Sequence, residues 1–374
     1  MTTPGASTSQ EMQRRPELDG IRGLAILMVM AYHYVGQPLA LHGEGVAALA
    51  GKSLRLFWSG VDLFFVLSGF LIGGILLQQR HAQNYFQVFF VRRGCRIWPL
   101  YLFVLVVFII LGAWGQGKPG CEALETGPVP LWSYFLFLQN IFMAAHHTFG
   151  ADWLTVTWSL AVEEQFYLLL PFMVRFLPGR KLVYASMAGI VAVVLLRMIF
   201  SRDFLVFVSS PTRADAVLIG LLLAVAMRHD PTRALMTTHV ALIGTLVLLG
   251  GIGMLILTFN QRLLGEALYL WTALFYAGLI TLATLRQPGW LHHLLSARWL
   301  QFAGIISYGL YLLHTPAAWF IERSVTALAG HDTSSILARA ALSAALTLVA
   351  STATFYGFER ACVNLGHRLK YRHV

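Results

Sequence analysis

Apolar residues in this chain form long continuous runs separated by short polar segments. A helix needs about 20 mostly apolar residues to cross the hydrocarbon core of a bilayer. About ten segments meet this condition, and they are 22–41, 55–78, 97–115, 155–176, 181–200, 208–228, 239–258, 265–285, 300–321 and 337–358. The pattern therefore predicts an all-α fold, a polytopic membrane helix bundle with about ten transmembrane helices.

The segment 131–149 has an ambiguous pattern, because it could cross the membrane or lie in the interface. Lys and Arg are enriched in cytoplasmic loops, so their distribution distinguishes the two arrangements. With ten crossings and a cytoplasmic N-terminus, about two thirds of the Lys and Arg fall on the cytoplasmic side, whereas an eleventh crossing reduces this share to about half. We therefore predict that both termini are cytoplasmic and that 131–149 lies on or dips into the outer face.

Composition agrees with the pattern and narrows the class of protein. The chain of 374 residues is 57% hydrophobic and only 12% charged, its mean hydropathy is +0.67, and a soluble domain has about 25% charged residues. The net charge of +10 comes from basic residues between apolar segments, which indicates topology rather than nucleic-acid binding. The three cysteines indicate neither a disulfide framework nor a metal site. We predict a disordered cytoplasmic tail at 1–14, one transmembrane domain at 15–360 and a basic cytoplasmic tail at 361–374.

His33 lies inside the first apolar segment, where an ionisable side chain is costly and indicates a functional site. Arg22 precedes it by eleven residues, which places the two side chains within about 20° of one helix face and about 16 Å apart along the axis. Asp19 lies three residues before Arg22 and can pair with it. A single histidine in a span is often structural, but the aligned arginine favours a ligand that extends from the membrane surface to His33.

Two further groups of charged residues lie at segment ends. Arg93 and Arg96 are three residues apart and share a helix face, and arginine forks bind phosphates with two parallel hydrogen bonds. Asp62 lies near the outer end of the second segment. The alternative for the arginines is a topological anchor, and for Asp62 a structural partner.

The later segments add more polar positions. Ser159, Glu163 and Tyr167 repeat every four residues and form one polar stripe, with Glu163 at a depth comparable to that of His33. A carboxylate near a histidine can orient it and raise its basicity. Other polar candidates are Arg213 and Asp215 at the outer start of the sixth segment, and Tyr308, Tyr311 and His314 in the ninth. These could pair with one another or line a cavity.

These motifs together resemble those of acyltransferase family 3, the polytopic membrane acyltransferases. The motifs stand in family order, and they are LDGIRGLA with His33 following, GVDLFFVLSGFLI, RRGCRIWPLY, WSLAVEEQFYLLLP, RADAVLIGLLLA and ISYGLYLLHTP. Each motif alone is a modest signal, whereas six in order are a strong one. The resemblance covers about residues 15–360.

The resemblance implies transfer of an acyl group, often acetyl, from cytoplasmic acyl-CoA to a hydroxyl of a carbohydrate or other cell-envelope acceptor. Acyl-CoA is then a co-substrate, and neither a bound cofactor nor a metal is implied. Arg22, Arg93 and Arg96 would hold the CoA phosphates, and His33 would act as general base or as the acylated nucleophile. Glu163 and Asp62 are the other catalytic candidates. The acceptor candidates are Trp158, Ser159, Tyr167, Arg213, Asp215, Tyr311 and His314.

The implied location is the bacterial inner membrane, with a carbohydrate or lipid-linked sugar as acceptor and no nucleic-acid partner. A different class of function remains open at this point. Ten spans with ionisable residues near the midplane also suit a proton-coupled transporter or a flippase of an envelope precursor. The chain has no inverted repeat, however, and a transporter has no evident use for the pair Arg93 and Arg96.

Overall fold

A computed structural model describes residues 15–115, 118, 121–200, 204–259, 267–285, 289–325, 330 and 332–373. The predicted disordered tail at 1–14 lies outside these residues. Within the described part the chain forms helices and connecting turns, and no β-strand occurs there. The prediction of an all-α fold is therefore confirmed.

The helices are numbered in chain order. The first half contains α1 (Pro16–Ala31), α2 (Gln37–His42), α3 (Gly45–Leu54), α4 (Gly60–Gln78), α5 (Tyr85–Gly115), α6 (Leu131–Phe135), α7 (Gln139–Ala145), α8 (Thr157–Phe176) and α9 (Arg180–Ile199). The second half contains α10 (Phe204–Val208), α11 (Ser210–Ala226), α12 (Asp230–Thr238), α13 (Val240–Phe259), α14 (Ala267–Thr284), α15 (Trp290–Leu295), α16 (Arg298–Ile305), α17 (Ser307–Ser324), α18 (Thr333–Thr354) and α19 (Arg360–Arg368).

Seven helical stretches of the described residues are long and apolar enough to cross a membrane. They are Pro16–His42, Gly45–Gln78, Tyr85–Gly115, Arg180–Ile199, Phe204–Ala226, Ala267–Thr284 and Thr333–Arg368. The pair α12 and α13, bent by 71°, makes an eighth if it acts as one span. Large apolar side chains are exposed on the outer surfaces of several of these helices, as at Val106, Val191 and Leu246. A surface of this kind suits lipid rather than water, so the chain is a multi-pass integral membrane protein.

Two helices that coincide with predicted spans are not among these stretches. α8 carries Glu163, Glu164 and Arg175, and α17 carries His314 together with Glu322. Their polar side chains make these two helices less apolar than the seven stretches above. The ambiguous segment 131–149 forms only α6 and α7, of five and seven residues. Neither is long enough to cross a bilayer, because a helix rises only about 1.5 Å per residue.

Close helix contacts are made through glycine. At Gly69 on α4 an added Cβ would lie 2.0 Å from the Val217 carbonyl oxygen of α11. At Gly304 on α16 an added Cβ would lie 1.8 Å from the Asp19 carbonyl oxygen of α1. Small residues allow helix backbones to approach in this way, and dispersion contacts then stabilise the pair. These contacts hold α1 and α4 in the centre of the bundle.

Two π-helical turns interrupt the long helices. The first, Tyr32–Gly36, joins α1 to α2 and contains His33. The second, Phe355–Glu359, joins α18 to α19. Such turns leave the regular hydrogen-bond ladder and occur frequently at functional sites. The first turn therefore adds weight to His33 as a functional residue.

Candidate active site

A cavity of about 870 Å³, including its open mouth, lies between α1, α4, α5, α8 and α17. Its lining includes eight of the residues that the sequence singles out, namely Arg22, Arg93, Arg96, Ser159, Glu163, Tyr167, Tyr308 and Tyr311. Most of the other lining residues are apolar, among them Val61, Phe64 and Leu160. A mainly apolar cavity with a few convergent polar groups is the usual form of a small-molecule site.

The three arginines come from two helices and line the same cavity. Arg22 lies in the second turn of α1, where its Nη1 donates to Asp19 Oδ1 at 2.8 Å, as the spacing predicts. Arg93 lies over the Tyr167 ring, with 5.3 Å between the guanidinium carbon and the ring centre. The cavity therefore holds an excess of positive charge, which suits a phosphorylated ligand.

Glu163 lies on the α8 wall and takes part in a small hydrogen-bond network. Ser68 Oγ donates to Glu163 Oε1 at 3.1 Å, and Tyr167 Oη donates to Glu163 Oε2 at 2.8 Å. The network fixes the Glu163 carboxylate in the same cavity as the arginines, and its predicted role as a partner of His33 remains a prediction.

Tyr311 marks the inner end of the cavity. Its hydroxyl lies 2.5 Å from Ser159 Oγ and donates to the Val156 carbonyl oxygen at 3.1 Å. Its ring centre is 5.8 Å from that of His314 on the next turn of α17. The tyrosine therefore lies between the cavity that it lines and His314, and neither His33 nor His314 is among the lining residues.

His33 and His314 are hydrogen-bonded to each other. His33 Nδ1 lies 3.1 Å from His314 Nε2, and the ring centres are 4.9 Å apart. His314 is fully buried and His33 is half-buried. The hydrogen-bond partner of the His33 ring is thus a histidine of α17, whereas the sequence had suggested the carboxylate of Glu163.

Donor and acceptor roles in this pair follow from the backbone. His314 Nδ1 lies 2.6 Å from the Tyr311 carbonyl oxygen, and a carbonyl can only accept, so His314 Nδ1 carries the hydrogen. In a neutral imidazole the other nitrogen is then an acceptor, so His314 Nε2 accepts from His33 Nδ1. We assign His33 the tautomer with an unprotonated Nε2 on this basis. That nitrogen can act as a base or as a nucleophile.

Tyr34 and Thr347 are two residues that sequence reasoning missed in the surroundings of His314. The Tyr34 hydroxyl donates to the His314 carbonyl oxygen at 2.8 Å and lies 2.7 Å from Thr347 Oγ1. Tyr34 is adjacent to His33 in the stretch YHY, which was the available signal. No local pattern marks Thr347, because it contributes through α18, far along the chain.

The remaining predicted residues lie in a separate, closed cluster. Arg213 Nη2 pairs with Asp62 Oδ1 at 2.6 Å, and Arg197 Nη2 pairs with Asp215 Oδ2 at 2.5 Å. All four side chains are at most 2% exposed. Arg213 and Asp215 are thus each paired with a residue of another helix, and not with each other, which was one of the alternatives that the sequence left open.

Aromatic rings surround this buried cluster. The Arg213 guanidinium carbon is 4.4 Å from the Tyr269 ring centre and 5.9 Å from that of Trp158. Arg197 was not a candidate from the sequence, where it reads as one more basic residue near a span end. The structure does not bring Asp62, Trp158, Arg213 or Asp215 into the lining of the cavity. Their predicted catalytic and acceptor-binding roles remain predictions.

Comparison with known proteins agrees with this architecture. A family model described as an acyltransferase domain matches residues 15–356. The chain is 29% identical over 335 residues to the peptidoglycan O-acetyltransferase OatA of Listeria monocytogenes, covering 80% of this chain and 49% of the relative. It is 26% identical over 332 residues to the O-acetyltransferase OatA of Staphylococcus aureus, covering 82% and 51%.

A third relative is the putative peptidoglycan O-acetyltransferase YrhL of Bacillus subtilis, 30% identical over 339 residues, with 80% of this chain and 48% of the relative covered. The chain therefore spans about half the length of the curated relatives it matches. No solved structure matches it. Since the family model covers nearly all of the bundle and both histidines of the site, the chain belongs to acyltransferase family 3.

Proposed function

We propose that this protein is a membrane O-acetyltransferase of the bacterial inner membrane, which moves an acetyl group from cytoplasmic acetyl-CoA through His33 to a hydroxyl of a cell-envelope carbohydrate. The observation that carries the proposal is a cavity lined by three arginines and Tyr311, with the pair His33 and His314 adjacent to Tyr311. The names of the relatives favour peptidoglycan as the acceptor. Membership of an acyltransferase family favours this function over a transporter.

The proposed topology has ten crossings with both termini cytoplasmic. It adds α8, α17 and the bent pair α12 and α13 to the seven apolar stretches. α8 has 20 residues and α17 has 18, which correspond to about 30 Å and 27 Å. α8 also exposes Leu168, Leu169 and Phe172 along one side, as expected of a helix that meets lipid. The arginines would then lie at the cytoplasmic end of the cavity.

The donor would enter from that end. Arg93 and Arg96, together with Arg22 of α1, would hold the CoA phosphates by charge-assisted hydrogen bonds. The slender pantetheine arm would follow the apolar walls formed by Phe64, Phe65 and similar residues. Its length is comparable to the distance of about 16 Å that separates Arg22 from His33 along α1. The thioester would then reach the histidine pair.

Two chemical routes use the unprotonated His33 Nε2. In the first, His33 Nε2 takes the proton of the acceptor hydroxyl while the hydroxyl oxygen attacks the thioester carbon. The C–S bond then breaks, and the departing CoA thiolate receives the proton from Nε2. In the second, Nε2 attacks the thioester carbon and releases the thiolate, and the acceptor hydroxyl then attacks the acyl-imidazole and passes its proton to the thiolate. In both routes His314 holds the His33 Nδ1 hydrogen and disperses the positive charge on the ring.

The test is transfer of labelled acetyl from acetyl-CoA in membranes that contain the wild type, His33→Ala or His293→Ala. His293 is exposed on the short helix α15 and serves as the matched control. We expect free CoA and label in the glycan fraction with the wild type and the control, and neither with His33→Ala at equal membrane abundance. Full transfer by His33→Ala would refute the role of His33. No CoA release by any variant in the presence of peptidoglycan would refute the proposed donor.

A further inference from the structure

The last residues described in the chain attach to the start of α5. We call Leu369–His373 the C-terminal clip. Gln83 N–H donates to the Arg372 carbonyl oxygen at 2.9 Å. Asn84 Nδ2 donates to the Lys370 carbonyl oxygen, and Arg372 N–H donates to Asn84 Oδ1, each at 2.9 Å. The side-chain amide of Asn84 thus both donates to and accepts from the backbone of the clip.

A second attachment lies two turns further along α5. Arg92 donates from Nε at 3.2 Å and from Nη2 at 2.9 Å to the Leu369 carbonyl oxygen. Its guanidinium carbon is 5.2 Å from the Tyr371 ring centre. The clip accepts these bonds with its backbone, so the exposed side chains of Lys370 and Arg372 take no part in them.

The helix α19 extends the same contact. Gly366 packs against α5, where an added Cβ would lie 2.9 Å from Cys95 Cβ. The predicted basic tail is therefore a helix and a clip that together contact the chain between Gln83 and Cys95, that is, the two residues before α5 and its first three turns. All of these C-terminal residues lie beyond residue 356, where the match to the family model ends.

The α5 residue that binds the clip is close in sequence to the arginines that line the cavity. Arg92 contacts the clip, whereas Arg93, the next residue, and Arg96, one turn further along α5, line the cavity. Three arginines within one cavity repel one another, and this repulsion favours rotation or fraying of the start of α5. The clip binds Arg92, one turn before Arg96, and counteracts that movement, and none of its residues lines the cavity.

We propose that the C-terminal clip is a positioning element that holds α5 so that Arg93 and Arg96 face the cavity and bind the donor phosphates. This inference rests on the proposed function in one respect, that the arginines bind phosphate. It assigns to a segment outside the matched family region a role in donor affinity. Asn84 and Arg92 are the positioning residues through which the clip acts.

The experiment compares purified full-length wild type, Asn84→Ala, Arg92→Ala and the control Gln87→Ala, which is exposed on the same helix. Three quantities are measured, namely hydrogen exchange of 85–96, the Kd of pyrophosphate, and kcat and KM with acetyl-CoA. We expect faster exchange, a Kd and a KM raised by about tenfold, as for loss of one hydrogen bond, and kcat within about twofold. Gln87→Ala should match the wild type.

Several outcomes would overturn the inference. Unchanged exchange would mean that the clip does not hold α5, and faster exchange with unchanged Kd would mean that holding α5 does not matter to the arginines. A loss of kcat with unchanged KM would indicate a role in the chemistry instead. If the wild type does not bind pyrophosphate, the inference fails. If it binds pyrophosphate but does not turn over acetyl-CoA, the proposed donor fails and the Kd comparison still decides on the clip.

Discussion

His33 Nδ1 and His314 Nε2 lie 3.1 Å apart, although 281 residues separate the two histidines in the chain. The contact explains how an imidazole within a membrane helix is kept in one tautomer. His314 is held by the Tyr311 carbonyl oxygen through Nδ1, so it can only accept from His33 while both rings are neutral. The Nε2 nitrogen of His33 is thereby left unprotonated.

Replacement of His314 by glutamine should reduce kcat by at least about 100-fold, in the range of general acid–base contributions. Glutamine can still form a hydrogen bond, but it cannot share positive charge with His33. KM for acetyl-CoA should stay within about twofold of the wild type, because the phosphates bind elsewhere. CoA release from membranes measures both constants, and His293→Gln is the control. An undiminished kcat in His314→Gln would contradict the assigned role.

Replacement of Arg96 by alanine should raise KM for acetyl-CoA by roughly 10- to 100-fold, since a hydrogen bond to a charged group contributes about 1.5–3 kcal/mol. Arg96→Lys should recover only part of this loss, because lysine keeps the charge but not the two-pronged geometry. Arg298→Ala, exposed on α16, is the control. The prediction fails if Arg96→Ala binds and turns over acetyl-CoA with wild-type constants.

The buried pair Asp62 and Arg213 should be required for stability rather than for chemistry. Removing one partner leaves an uncompensated buried charge, so Asp62→Leu should lower the free energy of unfolding by about 3–5 kcal/mol. The double replacement of Asp62 by Leu and Arg213 by Met should recover much of that loss. Thermal unfolding in detergent and acetyl transfer are measured together. A double variant that is stable but inactive would instead support the catalytic role predicted for Asp62.

The contact between α4 and α11 should not tolerate even one added methyl group. Gly69→Ala would place Cβ 2.0 Å from the Val217 carbonyl oxygen, so the helices must separate. We expect a loss of about 1–3 kcal/mol or more, as for other overpacked cores. Gly244→Ala is the control, because an added Cβ there meets no atom within 4 Å. Equal melting temperatures for the two variants would show that the helix pair is looser than the structure indicates.

The order of most helices along the chain was predictable from hydropathy. The arginines of the cavity were predictable from their spacing. Arg22 and its partner Asp19, and the shared face of Arg93 and Arg96, follow from spacing within a single helix. The boundaries were less accurate. α5, for example, begins at Tyr85 rather than near residue 97, because its first turns are amphipathic and carry charge. The stripe of Ser159, Glu163 and Tyr167 was predicted for the same local reason and does line the cavity.

The sequence by itself determined the properties that depend on neighbours along one helix, namely which segments are apolar, where charges interrupt them and which side chains share a face. Only the tertiary structure decided the partners of those side chains. His33 pairs with His314, Asp62 with Arg213 and Asp215 with Arg197, while Arg92 is bound by the chain's own C-terminal clip. Periodicity constrains a helix about its own axis, but a partner is selected by packing between helices, and at Gly69 that packing depends on one absent side chain.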